Sequence, residues 1–427
     1  MNVNYKIACY LSAIFALSAC NQSVSQGTKT TESTEKPCEP ELDLSPEKLD
    51  RFGITNKEYL SAASKRALQW KYVENDWYRV FNEMKPLKGD LAYEEGVVRR
   101  DPSAMIKADG LYHVWYSKSV GKTDGFSGDV EKDKVFPWDR CTIWHATSED
   151  GWTWKEDEEA AIPLGEKGTY DDRSVFTVEV MVWDGMYYLC YQTIKSPYNV
   201  RTKNEVGLAW SKSPNGPWEK SKEPILKPAD NGIWKGEEQN RFSVEKKGDF
   251  DSHKVHDPCI LPYNGKFYLY YKGEQMGEEI LYGGRQIRHG VAVADNPKGP
   301  YEKSNYNPIS NSGHEICVWP VDGGIASLIT TDGPERNTFQ WSPDGINFEI
   351  RAAVKGANMP HAIGLNRTIE VSKDNPTAIF DWGLSHVYNS WHYQSIMRFD
   401  SYRKTSHVAQ GAITPKGEKK KDEQTDN

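Results

Sequence analysis

Paired cysteines, long apolar runs, basic stripes and metal-type histidine clusters are all missing from this chain of 427 residues, and each absence closes off a class of function. Of its seven cysteines, Cys9, Cys20 and Cys38 fall in the N-terminal segment, while Cys141, Cys190, Cys259 and Cys317 sit one apiece in apolar strand patterns. That spacing suits neither a zinc site nor a disulfide framework, so the latter four read as buried thiols. The apolar run from Ile7 to Leu17 is too short to cross a bilayer. Net charge is -8, and Lys and Arg do not gather into a stripe that tracks phosphates, which argues against a nucleic-acid partner. His113, His145 and His289 lie in strand patterns as packing residues, and no His-Cys cluster has ligand spacing, so no metal or cofactor is expected.

What the chain does contain is aromatic residues and repetition. Aromatics make up 12% of the residues, with 15 Trp and 23 Tyr, and 37% are hydrophobic, enough for a sizeable core. Asp101-Pro102 leads through Ala104-Met105-Ile106 to Leu111-Tyr112-His113-Val114-Trp115-Tyr116. Asp257-Pro258 leads through Ile260-Leu261 to Phe267-Tyr268-Leu269-Tyr270-Tyr271 in the same way. A looser copy runs from Thr177-Val178-Glu179 to Tyr187-Tyr188-Leu189-Cys190-Tyr191, and another from His314-Glu315 through Val318-Trp319 to Ile325-Ala326-Ser327-Leu328. Each inner hairpin is followed by a strand, a Gly turn and an aromatic-bearing strand, as in Thr142–Ser148 with Trp152-Thr153-Trp154, or Thr338–Ser342 with Phe348. Ile379-Phe380-Asp381-Trp382 and Tyr393–Met397 supply a further pair. Such repeats predict an all-β chain folded as a five-bladed β-propeller over residues 89–402, within the known range of about four to eight blades.

The flanks read differently. Lys6, the apolar run and Leu17-Ser18-Ala19-Cys20 resemble a bacterial lipoprotein signal over residues 1–19, with Cys20 the acylated residue. Residues 20–44 form a polar tether, and residues 403–427 a polar, lysine-rich tail. Over residues 45–81, Ser45-Pro46-Glu47 has a helix-cap pattern, and Leu60, Ala63, Ala67, Leu68 and Trp70 recur at helical spacing. The expectation is a small helical appendix docked on the propeller or on another subunit. Export to the periplasm or a lipid-anchored place on the outer membrane follows from the signal.

In a propeller, residues at equivalent starts of different repeats converge on one funnel. Asp101, Glu179, Asp257 and the pair His314-Glu315 occupy those starts. An acid and a base on opposite walls, about 6.5–9.5 Å apart, are what inverting glycoside hydrolysis needs. Arg99-Arg100 and His256 flank the two Asp-Pro copies as cations that tune carboxylate ionisation. His314 and Glu315, read as neighbours in a strand, should point to opposite sides. Thr177, Glu179 and Gln192 in the second repeat, Trp138 in the loop after the first, and Lys272 at the end of the third are candidates for contact with a sugar.

The set Arg100-Asp101-Pro102, His256-Asp257-Pro258 and Gly313-His314-Glu315, with Ser61-Ala62-Ala63-Ser64-Lys65-Arg66 of form S-x-A-x-x-R, resembles glycoside hydrolase family 117 from about Ser45 to Tyr402. The resemblance implies removal of terminal 3,6-anhydro-L-galactose from neoagaro-oligosaccharides by inverting cleavage of an α-1,3 bond. It further implies a homodimer that exchanges its N-terminal helices. Asp101 would be the general base and His314 the general acid, with Asp257 orienting substrate and tuning the acid and Glu315 supporting the site. Arg100 and His256 fall to substrate binding.

Two other readings stay open at this point. One is an arabinofuranosidase or xylosidase of propeller type using Asp101, Asp257 and Glu315, with Glu315 as acid. The other is a surface glycan-binding lipoprotein that does not cut. Acidic net charge favours a neutral oligosaccharide over a sulfated one.

Overall fold

The computed structural model describes residues 75–81, 84–277, 280–281, 284–285, 287–310, 312–333, 335–354 and 360–403. The signal, Cys20, the tether, the helical segment up to residue 74 with its Ser61–Arg66 motif, and the tail beyond Arg403 lie outside the described residues. Among the described residues there are strands and short 3-10 turns, and no α-helix.

The strands group into successive antiparallel sets, each running from an inner strand outward. In the first, Val97–Arg100 and Ile106–Ala108 both pair with Leu111–Val120, followed by Thr142–Ser148 and Thr153–Glu156, with Lys88–Gly89 added in parallel outside. Ser174–Trp183, Met186–Ile194, Asn204–Ser211 and Glu219–Lys220 follow. Next come Lys254–Tyr263, Lys266–Glu274, Arg288–Ala294 and Glu302–Lys303. Val318–Val321, Gly324–Ile329, Thr338–Ser342 and Glu349–Ala353 form another set. His361–Gly364, Trp382–Tyr388 and Gln394–Arg403 form the last.

The tight turns explain why the inner hairpins are so regular. Asp109-Gly110, Asp184-Gly185, Asn264-Gly265 and Asp322-Gly323 each have two successive positive φ values. That is the geometry whose twist matches the flanking strands and which Asn-Gly and Asp-Gly adopt at least cost.

The last set corrects one expectation. Arg79–Phe81, assigned to the helical appendix, is a strand that pairs with Ser401–Arg403 of the final long strand, and Lys85–Pro86 pairs beside it. Phe81 and Arg79 face inward and Val80 outward, an alternation of period two that ends the helical spacing before this point. Arg79 is buried, donates to Thr377 Oγ1 at 3.0 Å and pairs with Asp381 at 2.5 Å, so the start of the described chain is stapled to its end. Ile379 and Phe380, read as strand, form a 3-10 turn instead.

The inner strands meet around an axis. Met105 N–H donates to Leu365 O at 2.7 Å, and Gly364 lies so close to Ser103 that an added Cβ would sit 2.5 Å from its carbonyl oxygen. First and last sets therefore touch, and the arrangement closes into a propeller-like ring. The core lies between neighbouring sheets: Val206, Leu208, Val255 and Leu269 pack together between the second and third sets, and Leu91, Met105, Leu384 and Ile396 between the last and first. Trp115, Trp154, Trp319, Tyr191 and Tyr270 are buried there, which accounts for much of the aromatic content. Cys141, Cys190, Cys259 and Cys317 are buried free thiols.

Candidate active site

The inner strands are broken at one level. Asp101, Thr177, Asp257 and Ala362 all take left-handed φ values, between 45° and 50°. The ladder slips at the same places, between His256 and Cys259 and opposite Cys190–Gln192. In the first set Ser103 bridges the gap by its amide, which donates to Trp115 O at 2.7 Å, and by its hydroxyl, which accepts from Trp115 N at 3.1 Å. Such a break re-aims a side chain out of the strand alternation, and here it aims at the axis. Left-handed backbone is costly for Thr and Ala and tolerable for Asp, so strain is concentrated at this level. Glu179, expected at the equivalent start, lies two residues beyond it, and Thr177 holds that position.

Asp101 is almost wholly buried at 3% exposure. Arg100 clamps it with Nε to Oδ2 at 2.6 Å and Nη2 to Oδ1 at 3.1 Å, Thr177 Oγ1 donates to Oδ2 at 3.1 Å, and His386 Nδ1 lies 3.1 Å from Oδ1. Burial alone would raise the carboxyl, but Arg100 and then His386 outweigh it and hold Asp101 well below the usual carboxylate range. Burial holds His386 below the usual imidazole value, and its Nδ1 meets both the Asp101 amide, which donates to it at 3.4 Å, and the Asp101 carboxyl.

Across the axis the balance is opposite. Asp257 pairs with Lys272. Glu315 is pushed well above its ordinary value by burial, then by the charge of Asp257, with a smaller push from Asp101, and it shares a hydrogen bond with Asp257. Burial and the neighbouring carboxylates therefore favour the proton-bearing form of Glu315. One carboxyl held ionised and another held neutral in the same site is the pattern of an acid–base pair.

His314 and Glu315 do not lie in a strand. They form a bend ahead of Val318–Val321, and both line the same cavity, which overturns the expectation that they point apart. Gly313 is the reason: it has φ 103°, and a Cβ there would sit 2.4 Å from the ring of His289. No other residue fits that turn without moving His289, itself buried and pushed down to about 3 by burial and by the nearby Lys272 and His314. His314 Nδ1 donates to Asp332 Oδ2 at 2.7 Å, and its Nε2 lies 3.7 Å from Glu315 Oε1. Asp332 thus fixes which ring nitrogen faces the cavity.

These groups stand at the base of a cavity of about 520 Å³ lined by Arg100, Trp138, Thr177, Gln192, His256, Asp257, Lys272, His314 and Glu315, among others. Its volume is ordinary for a small-ligand site. Gln192 Nε2 lies 3.3 Å from His256 Nδ1, while Gln192 Oε1 and Arg100 Nη1 are buried with no partner. Trp138 has Phe136 stacked on it at 4.6 Å and the Arg100 guanidinium over its ring at 5.1 Å, so it supports Arg100 while lining the cavity. Beneath, a second cavity of only about 30 Å³ joins Asp101, Thr177, Glu179, Asp257, Glu315 and Ala362 on the axis. Glu179 belongs there: it accepts from the amides of Ala104 and Val180 and pairs with Arg367 at 3.3 Å. Burial raises Glu179, with Arg367 and the two amides opposing. Among the described residues no group of His, Cys, Asp and Glu has the geometry to hold a metal ion.

Several cavity residues were not singled out in the sequence. Glu274, buried, receives Arg241 at 2.9 Å and Lys254 at 3.0 Å, with His253 at 3.6 Å. Lys254 pairs with Glu274 and His256 with Lys272 across one ladder, so these charges share a face, a period-two pattern visible in the sequence. Asp332 and His386 carried no such signal: Asp332, beyond the strand Gly324–Ile329, turns back to His314 of its own set, and His386 reaches Asp101 where last and first sets meet.

No family model matches the chain, and no curated protein matches it either. Solved structures do. Zg3597, a family 117 glycoside hydrolase produced by the marine bacterium Zobellia galactanivorans, is 32% identical with a TM-score of 0.62, over 80% of this chain and 100% of that one. A protein described as a glycoside hydrolase aligns at 13% identity with a TM-score of 0.50, over 76% of this chain and 93% of its own, a likeness of fold alone. The identity and coverage of the first, together with the ring of inner strands and its acidic floor, place this chain in glycoside hydrolase family 117.

Proposed function

We propose that the protein is an exo-acting inverting glycosidase on a five-bladed propeller, which cuts the α-1,3 bond of neoagaro-oligosaccharides and releases 3,6-anhydro-L-galactose from the non-reducing end. The observation that carries this reading is the convergence of Asp101, Asp257 and Glu315 on one small axial chamber, with His314 beside Glu315 on the wall of the cavity above it. Asp101 acts as general base on water. All its lone pairs are used, so Arg100 or Thr177 must yield one contact as substrate enters, and Arg100 Nη1 is placed to turn to a sugar oxygen. His314 acts as general acid: Asp332 offsets the charge of the doubly protonated ring, and Nε2 faces the cavity. Glu315 shares its hydrogen bond with Asp257, and the Asp332 carboxylate on Nδ1 supports a proton on the His314 ring. In the same reading Cys20 anchors an exported lipoprotein, the substrate is neutral, and residues ahead of Trp77 mediate a homodimer.

A second reading of the acid is favoured by one observation, the neutral carboxyl of Glu315, which is what a conventional carboxylic acid in this role requires. The test is a product assay on neoagarobiose and neoagarohexaose with wild type and Asp101→Asn, following released monosaccharide by chromatography and its anomer by proton NMR. Release of 3,6-anhydro-L-galactose as the inverted anomer, lost by about 100-fold or more in the variant, supports the proposal. Absence of release by folded wild-type protein sinks the agar substrate.

A further inference from the structure

Below the main cavity the axis holds only a small chamber, lined by Asp101, so a sugar chain seated above it extends through the mouth of the cavity. That chamber of about 30 Å³ has room for little more than a water or two. A substrate longer than the cavity must therefore lie across the rim.

Beyond the residues that line the cavity, Tyr388 and Trp391 are 51% and 55% exposed, in contrast to the aromatic residues buried between the sheets. Their rings are nearly parallel, 11° apart with centroids at 6.5 Å, so they present offset flat faces side by side. Tyr388 packs edge-on against His386, the partner of Asp101, at 5.4 Å, and it lies within the field of Arg100, Asp101, Glu315 and Lys272. Trp391 meets Phe136 edge-on at 6.4 Å, and Phe136 lines the cavity wall. The pair is thus continuous with the site.

The turn that carries Trp391 is also braced. Asn389 and Ser390 amides both donate to Tyr393 O at 3.1 Å, Asn389 Nδ2 donates to Ser395 Oγ at 2.8 Å, and His392 Nδ1 lies 2.9 Å from Thr123 Oγ1 of the first set. Two exposed rings held flat and fixed lose little freedom when a ligand covers them. Trp138, the aromatic residue expected to meet sugar, lines the cavity itself, with Phe136 and the Arg100 guanidinium packed on its ring.

From this geometry we infer that Tyr388 and Trp391 form a stacking platform for the sugars on the leaving side of the scissile bond, so that the enzyme discriminates by chain length as well as by terminal residue. The inference rests on the glycosidase reading of the cavity and deepens it. The apolar face of a pyranose covers the rings, and its hydroxyl edge stays in water, the division of labour that amphipathic rings serve.

The experiment uses Asp101→Asn, which binds without turnover, and its double variants with Trp391→Ala and Trp391→Phe. Each is titrated by calorimetry with di-, tetra- and hexasaccharides of the neoagaro, xylan and arabinan series. The expected result is that affinity for one series rises from disaccharide to tetrasaccharide, that Trp391→Ala removes about fivefold of that rise, and that Trp391→Phe keeps most of it. A rise in the xylan or arabinan series with the same sensitivity upholds the platform and sinks the agar reading. A rise untouched by Trp391→Ala, no rise with length, or no binding by any series overturns the platform.

Discussion

Asp332→Asn separates the two candidate acids. The carboxylate of Asp332 accepts from His314 Nδ1 at 2.7 Å, a charge-assisted hydrogen bond. Asparagine keeps the shape but removes the charge, forfeiting about 1.5–3 kcal/mol of support for the protonated ring. At about 1.4 kcal/mol per tenfold, kcat at neutral pH falls by roughly 10- to 100-fold. The sign of the pH effect follows: Asp332 favours the proton-bearing ring, so its loss moves the alkaline limb of the kcat profile down by about one to two pH units and leaves the acid limb in place. Initial rates of monosaccharide release on neoagarobiose between about pH 4 and 9 measure both, and circular dichroism confirms the fold. An Asp332→Asn enzyme with wild-type rate and limb, alongside an inactive Glu315→Gln enzyme, refutes the reasoning and transfers the acid role to Glu315.

Two further outcomes follow from buried charges. Glu315 has a folded-state value raised by burial and Asp257, so it binds a proton in the native state that the unfolded chain has lost above about pH 4.3, and stability falls as pH rises through that window. Glu315→Gln removes the effect, and its melting temperature relative to wild type should climb between about pH 4 and 8; a constant difference refutes the neutral carboxyl. Arg367 pairs with Glu179, donates to Val180 O, and reaches Cys259 Sγ at 3.5 Å on the axis. Arg367→Met should cost about 3 kcal/mol in chemical denaturation, with part recovered by adding Glu179→Gln, and a loss below about 1 kcal/mol removes the pair from the account of stability.

The sequence made the hairpins legible because alternation of period two and Asp-Gly or Asn-Gly turns are local signals, and the strands Leu111–Val120 and Lys266–Glu274 fall where those signals put them. Asp101, Asp257, Gln192, His256 and Lys272 could be named because repeats map distant residues to one level. Three features resisted. Arg79–Phe81 is a strand only because its partner ends the described chain, a pairing across more than 300 residues that no local pattern announces. Counting along the strand makes Glu179 the counterpart of Asp101, but the slipped register gives that level to Thr177. His314 and Glu315 look like strand neighbours until the left-handed Gly313, pressed against His289, bends them to one side. In each case tertiary contact set the geometry and local pattern could not.

The same slipped register also decides what the two Asp-Pro pairs are for. If Asp101 and Asp257 were present only to start a strand, the other sets would need the same residue at the same break. They do not: Thr177 and Ala362 hold the identical left-handed backbone at φ 47° and 45° without a carboxylate. Asp eases that conformation, but Thr and Ala show that the fold accepts its cost elsewhere. Nor is either aspartate placed cheaply, since both are buried and each is set against a buried cation, Arg100 and Lys272. The ring therefore supplies equivalent positions around an axis, and the choice of carboxylates at two of them, opposed by a neutral Glu315, is explained by chemistry on a bond held between them.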